Sequence, residues 1–153
     1  MMTEKQEETQ RVLLLLKIDS ENLYERIKHR KTEYINTFSM KRTRDHFHDI
    51  FENRYSSVDV NDLKLCSVDV ISALDKFYTK VESFYWYLKH TEDMPTLVTD
   101  KIERFVRELD HEYDILRLYI DAEFSVSSEN ESLMDVSIFE ESSEIEEALD
   151  SND

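Results

Sequence analysis

The chain has 153 residues, a formal net charge of −16, one proline, one cysteine and no glycine. Without glycine it has no phosphate-cradling loop, no dinucleotide fingerprint and no glycine-dependent calcium loop. With Cys66 as its one cysteine it forms no intrachain disulfide, and a reducing, cytoplasmic setting is expected.

Forty per cent of the residues are hydrophobic, including eight Phe, eight Tyr and one Trp, which is enough to fill a core. The longest apolar run, residues 12–16, is too short to span a membrane. Its acidic flanks also do not suit a signal peptide. No membrane insertion is therefore expected.

The first periodic segment covers residues 4–38. Leu13, Leu16, Ser20, Leu23, Ile27, Lys31, Tyr34 and Phe38 recur at spacings of three and four, which places them on one helix face. A break at Asp19-Ser20 is the rival reading, because both residues are good caps. Leu14, Leu15 and Ile18 fall off this stripe. A helix that is apolar on several sides is covered on several sides, so these three predict a partner surface. The partner is another protein or a second copy of the chain.

A second helix is expected over residues 41–55, with Phe47, Ile50 and Phe51 on its apolar face. Residues 56–59 read as a loop, and Asp59 or Asn61 caps the next helix. This third helix is expected over residues 61–90. Its broad stripe comprises Leu63, Val70, Ile71, Leu74, Phe77, Tyr78, Val81, Phe84, Tyr85 and Leu88. Trp86 and Tyr87 lie off that stripe and are candidate interface aromatics. Pro95 suits the first turn of a fourth helix over residues 95–124. Val98, Ile102, Phe105, Leu109, Tyr113, Leu116 and Ile120 form its core face, widened by Leu118 and Tyr119. A short connection makes the last two helices antiparallel.

Residues 125–153 hold ten Asp or Glu, eight Ser and no Lys or Arg. This shift predicts a flexible acidic tail after a helical domain of residues 1–124. Within the tail, Leu133, Val136, Ile138 and Phe139 are candidate anchors for a partner groove. The fold class expected is all-α: an elongated antiparallel bundle of about four helices with a disordered acidic tail.

Arg26, Lys28, Arg30, Lys31, Lys41, Arg42 and Arg44 make a basic cluster suited to anions, diluted by Glu25, Glu33, Asp45 and Asp49. It supports an alternative reading as a nucleic-acid-linked regulator, by this patch or by acidic mimicry. A third reading, a helical metal enzyme, rests on Asp45 with His48 and Glu108 with His111, the carboxylate-x-x-His spacing of di-iron bundles. However, Glu108 and His111 lie about 100° and 160° from the core stripe by the 100°-per-residue rule. Cys66 borders a core stripe and reads as a small packed hydrophobe. No catalytic residue, metal site or cofactor is expected. The leading reading is a non-catalytic protein-interaction module: an adaptor, assembly subunit or regulatory partner.

Overall fold

The computed structural model describes residues 3–150, with side chains described for residues 3–126. Every regular element among the described residues is helical. The helices are α1 (Glu4–His29), α2 (Lys31–Ser39), α3 (Phe47–Phe51), α4 (Val60–Leu63), α5 (Val68–His90) and α6 (Pro95–Asp150), with a 3-10 turn at Tyr55–Ser57. The residue range of α6 takes in residues 125–150 of the segment expected as a tail. Leu133, Val136, Ile138 and Phe139 lie outside the residues whose side chains are described.

A capping box starts α1. The Thr3 hydroxyl accepts the Gln6 backbone N–H (3.1 Å), and the Gln6 side chain accepts the Thr3 N–H (2.9 Å). The helix then runs unbroken through Asp19 and Ser20, so the break considered there does not occur. Asp19 is occupied elsewhere: its carboxylate accepts the Tyr78 hydroxyl (2.6 Å) and the Arg54 backbone N–H (3.0 Å).

The break falls instead at Arg30, where ψ is 16°. The Tyr34 hydroxyl donates to the Ile27 carbonyl (2.9 Å), so the interruption leaves that buried acceptor satisfied. The expected stripe on either side is otherwise right: Leu13, Leu16, Ser20, Leu23, Ile27, Tyr34 and Phe38 are all buried. Lys31 is only half-buried and lies 3.6 Å from Glu103.

The helix expected over residues 41–55 shrinks to the five residues of α3. Two local devices stop it. At the end of α2, Lys41 takes a φ of 53°. The Arg42 N–H then reaches the Thr37 carbonyl (2.9 Å) and the Lys41 N–H reaches Phe38 (3.4 Å), the pairing of a Schellman cap. Glycine normally takes this left-handed position; a chain without glycine places a lysine there. Beyond α3, the Asn53 side chain donates to the Phe51 carbonyl (3.2 Å) and accepts the Tyr55 N–H (3.2 Å). This competes with helical pairing.

The helix expected over residues 61–90 is likewise two. Asp59 caps α4 by accepting the Asn61 N–H (3.2 Å). Ser67 caps α5 by accepting the Val70 N–H (3.2 Å). The Ser67 N–H itself is held by both oxygens of Glu123 (2.9 and 3.1 Å). Ile71, expected in the core, is exposed at the start of α5.

The α5–α6 connection is tied by side chains. Tyr87 donates to Asp93 (2.9 Å), Lys101 reaches the same oxygen (3.0 Å), and the Asp93 N–H bonds to Thr91 (3.1 Å). Pro95 opens α6 as expected. The pairs Lys80–Glu108 (2.8 Å) and Tyr87–Phe105 (5.4 Å between ring centroids) run in opposite senses, so these helices are antiparallel. Lys17–Asp121 (2.8 Å) and Lys28–Asp110 (3.8 Å) set α1 antiparallel to α6 as well. The core sits between α1, α2, α3, α5 and α6. Leu118 and Tyr119 do not widen it; they are exposed on the side of α6 that these partners leave uncovered.

Phe84, fully buried, is the hub of an aromatic cluster. It stacks on Phe105 (5.0 Å) and meets Phe51 (5.4 Å) and Tyr34 (5.6 Å) edge-on, while Tyr34 meets Phe47 (5.5 Å). Three elements therefore converge on α5. Phe84→Ala should lower unfolding free energy by about 3–5 kcal/mol in urea titration, the cost of a large cavity. At position 41, Lys41→Gly should hold or raise stability, because it removes left-handed strain. Lys41→Val should lower it by about 1–2 kcal/mol.

Candidate interaction surface

With Leu13, Leu16, Leu23 and Ile27 turned inward, α1 presents the opposite face outward. Leu14 (47% exposed), Leu15 (63%) and Ile18 (46%) stand on it. Contiguous exposed apolar side chains of this kind make the face a candidate interaction surface.

Beside them lies a groove of about 1110 Å³, open to solvent. One wall is α1 from Val12 to Arg26. The other is the chain from Asp49 to Asp62. Leu15, Leu16, Ile18, Tyr55 and Val58 give it apolar surface, and Asp49, Glu52, Arg54 and Asp62 are among its polar lining residues. Arg26 fixes one end by donating to the carbonyls of Ile50 (3.3 Å) and Glu52. The bond from the Arg54 N–H to Asp19 fixes the middle. Tyr55 is set by stacking flat on Tyr78 (4.0 Å, 4° between planes).

The sequence pointed to Leu14, Leu15 and Ile18 but not to the facing wall. By sequence, residues 52–55 fall in the expected second helix and residues 56–59 in a loop, and nothing in their order says which helix they lie against.

Trp86 and Tyr87 separate. Trp86 is 65% exposed and contacts the His90 ring (5.0 Å). Tyr87 is half-buried, with its ring against Phe105 and under Lys101 (5.2 Å) and its hydroxyl on Asp93. Tyr87 is therefore part of the fold's own packing, and the two aromatics do not form one exposed surface.

The basic residues are divided too. Arg26 serves the end of α3. Arg44 donates to the carbonyls of Leu88 (3.3 Å) and Lys89 (3.2 Å) at the end of α5, and lies over the Phe38 ring (4.5 Å). Lys28 donates to the Tyr24 hydroxyl (3.1 Å) and lies 3.8 Å from Asp110. Arg30 pairs with Glu33 (3.3 Å) and Lys31 with Glu103. Lys41 and Arg42 are exposed. A smaller cavity of about 600 Å³ has Arg30 and Arg42 in its lining together with Glu33, His29 and His46. Both histidines face carboxylates, His29 with Glu25 (2.6 Å) and His46 with Glu33 (3.2 Å).

The carboxylate-x-x-His units do not converge. His48 is exposed near Asp49 (3.6 Å), Glu108 pairs with Lys80, and His111 is exposed. Among the described residues no three His, Cys, Asp or Glu side chains gather as a metal set. No helix among the described residues is long and apolar enough to cross a membrane. Comparison with protein-family models, with curated proteins and with solved structures finds no match.

Burial shifts several acids of the core. Tyr113 is pushed up to about 12 by burial first and then by Glu21, and Cys66 up to about 11 by burial and by Glu123. Tyr34 and Tyr78 are raised further, each mainly by burial, with Asp19 adding to the effect on Tyr78. In the unfolded chain a thiol ionises near pH 8.5 and a phenol near pH 10. A raised folded value means the stabilisation is complete below those values and lost as pH rises through the folded ones. Tyrosinate absorbance should therefore show a steep step above pH ~10 that coincides with loss of helical ellipticity. Cys66 should react slowly with thiol reagents at pH 8 until the chain is unfolded. Ionisation of every tyrosine near pH 10 with the helices intact would contradict this.

Proposed function

We propose that the protein is a non-catalytic helical interaction module working in the cytoplasm as an adaptor, assembly subunit or regulatory partner. One observation carries this reading: Leu14, Leu15 and Ile18 stand in water on a helix whose opposite face is buried, beside an open groove. Burial of that apolar surface supplies binding energy, and charge supplies rate and selectivity. In this reading residues 1–124 act as an antiparallel bundle domain. Residues 125–153 act as a flexible acidic tail, whose Leu133, Val136, Ile138 and Phe139 form a second, short contact. Trp86 is a further exposed anchor.

The engagement of Arg26 and Arg44 with backbone carbonyls, and of Lys28, Arg30 and Lys31 with acids, weighs against the reading as a nucleic-acid-linked regulator. The separation of His48 from Glu108, each with its own neighbour, weighs against a metal enzyme.

Cross-linked partner capture from cells that express the protein tests the proposal. Leu15→Glu with Ile18→Glu changes exposed positions and should alter stability by no more than about 0.5 kcal/mol each. It should nonetheless remove the captured partner, read by mass spectrometry. Ile138→Asp with Phe139→Asp should weaken capture through the tail. A wild-type chain that captures nothing, or variants that capture everything the wild type does, would sink the interaction reading.

A further inference from the structure

We propose that the groove between α1 and residues 49–62 takes a basic amphipathic helix of another protein, about 14 residues long, with apolar residues at its centre and Lys or Arg towards both ends. This rests on the interaction reading above and names the partner's chemistry.

The length comes from the α1 wall. Val12 to Arg26 at 1.5 Å per residue is about 21 Å, or four turns. The helical form is set by the absence of a sheet to extend. An added strand needs a sheet edge with free backbone groups, and there is no strand among the described residues. A helix satisfies its own backbone and needs only an apolar stripe to meet Leu15, Ile18, Tyr55 and Val58.

The charge comes from the lining. Asp19 is engaged by Tyr78 and the Arg54 N–H, and Arg26 by two carbonyls. The remaining charged groups are Glu52, Asp62 and Asp49, the last with the His48 ring 3.6 Å away, against Arg54. They are spread along the groove. The Arg26 bonds set Glu52 at the C-terminal end of α1 and the Arg54 N–H meets Asp19 midway, so this wall runs antiparallel to α1; α4, which follows in the chain and carries Asp62, packs on α1 too. Acids at both ends call for bases at both ends. The chain's own acidic tail, with ten acids and no base, has the wrong sign. A second copy is also poorly matched, because Leu14, Leu15 and Ile18 are flanked by Glu7, Glu8, Arg11, Lys17 and Glu21, with no basic surplus.

The test uses the full chain and two synthetic 18-residue peptides of one composition. One carries Leu at i, i+3, i+4 and i+7 with Lys at both ends; the other has the same residues with Leu scattered around the helix. Fluorescence anisotropy at 0.15 M salt should show 1:1 saturation for the first and at least ten-fold weaker binding for the second. Leu15→Glu with Ile18→Glu should weaken the first by ten-fold or more. Glu52→Lys with Asp62→Lys should weaken it about ten-fold and flatten its salt dependence. Circular dichroism should show both variants folded.

Equal binding of the two peptides, or binding indifferent to both variants, overturns the assignment. A chain that scatters as a dimer, and becomes a monomer on Leu15→Glu with Ile18→Glu, also overturns it in favour of a second copy. A captured partner that needs Leu15 and Ile18 but presents an acidic or non-helical segment overturns the basic helix alone and leaves the interaction reading standing. Capture of nothing, with neither peptide bound, removes both.

Discussion

The burial of Phe84 against Phe105, Phe51 and Tyr34 is the constraint on which this fold depends. Each of those rings comes from a different element, α6, α3 and α2. None of the short elements holds itself: α3 has five residues, and an isolated helix shorter than about 12–15 residues is marginal in water. Docking onto one buried ring orders them. Once α3 is docked through Phe47, Ile50 and Phe51, the chain after it must run back along α1, and that return path builds the outer wall of the groove. The candidate surface is thus a by-product of core packing.

Hydrophobic period revealed the long helices well. The stripes on α1, α5 and α6 were legible because 3.6-residue spacing persists over many turns, and the residues it selected are nearly all buried. Where a helix stops was much less legible. Lys41 gives no signal that it will adopt a positive φ, because in most chains that place falls to glycine. Asp19 looked like a cap and is instead a long-range acceptor for Tyr78. Ser67 stops the expected third helix through its own side chain and through Glu123, 56 positions away, which no local window contains.

The candidate surface was half legible for the same reason. Leu14, Leu15 and Ile18 declare themselves by phase against the core stripe. Tyr55 and Val58 do not, because their orientation depends on the Tyr78 ring and on Asp19. Tyr87 misled because phase alone does not show that Asp93, Lys101 and Phe105 will close around it. The basic cluster misled in a related way: clustering in sequence says nothing about which carbonyls lie within reach of Arg26 and Arg44.

The clasp between the Ser67 N–H and the Glu123 carboxylate also sets a lower limit on the size of an autonomous fragment. It joins the first turn of α5 to α6 close to the point where the sequence turns acidic. Phe124, the next residue, is packed against the core. A chain ending after Phe124 keeps both, whereas one ending before Glu123 loses the acceptor for Ser67 and one apolar contact together. Fraying would then begin at Cys66 and Val70, at the far end of α5 from the His90–Pro95 connection, and spread towards the Phe84 hub, with the Ser67 hydroxyl on the Val70 N–H left to hold that end.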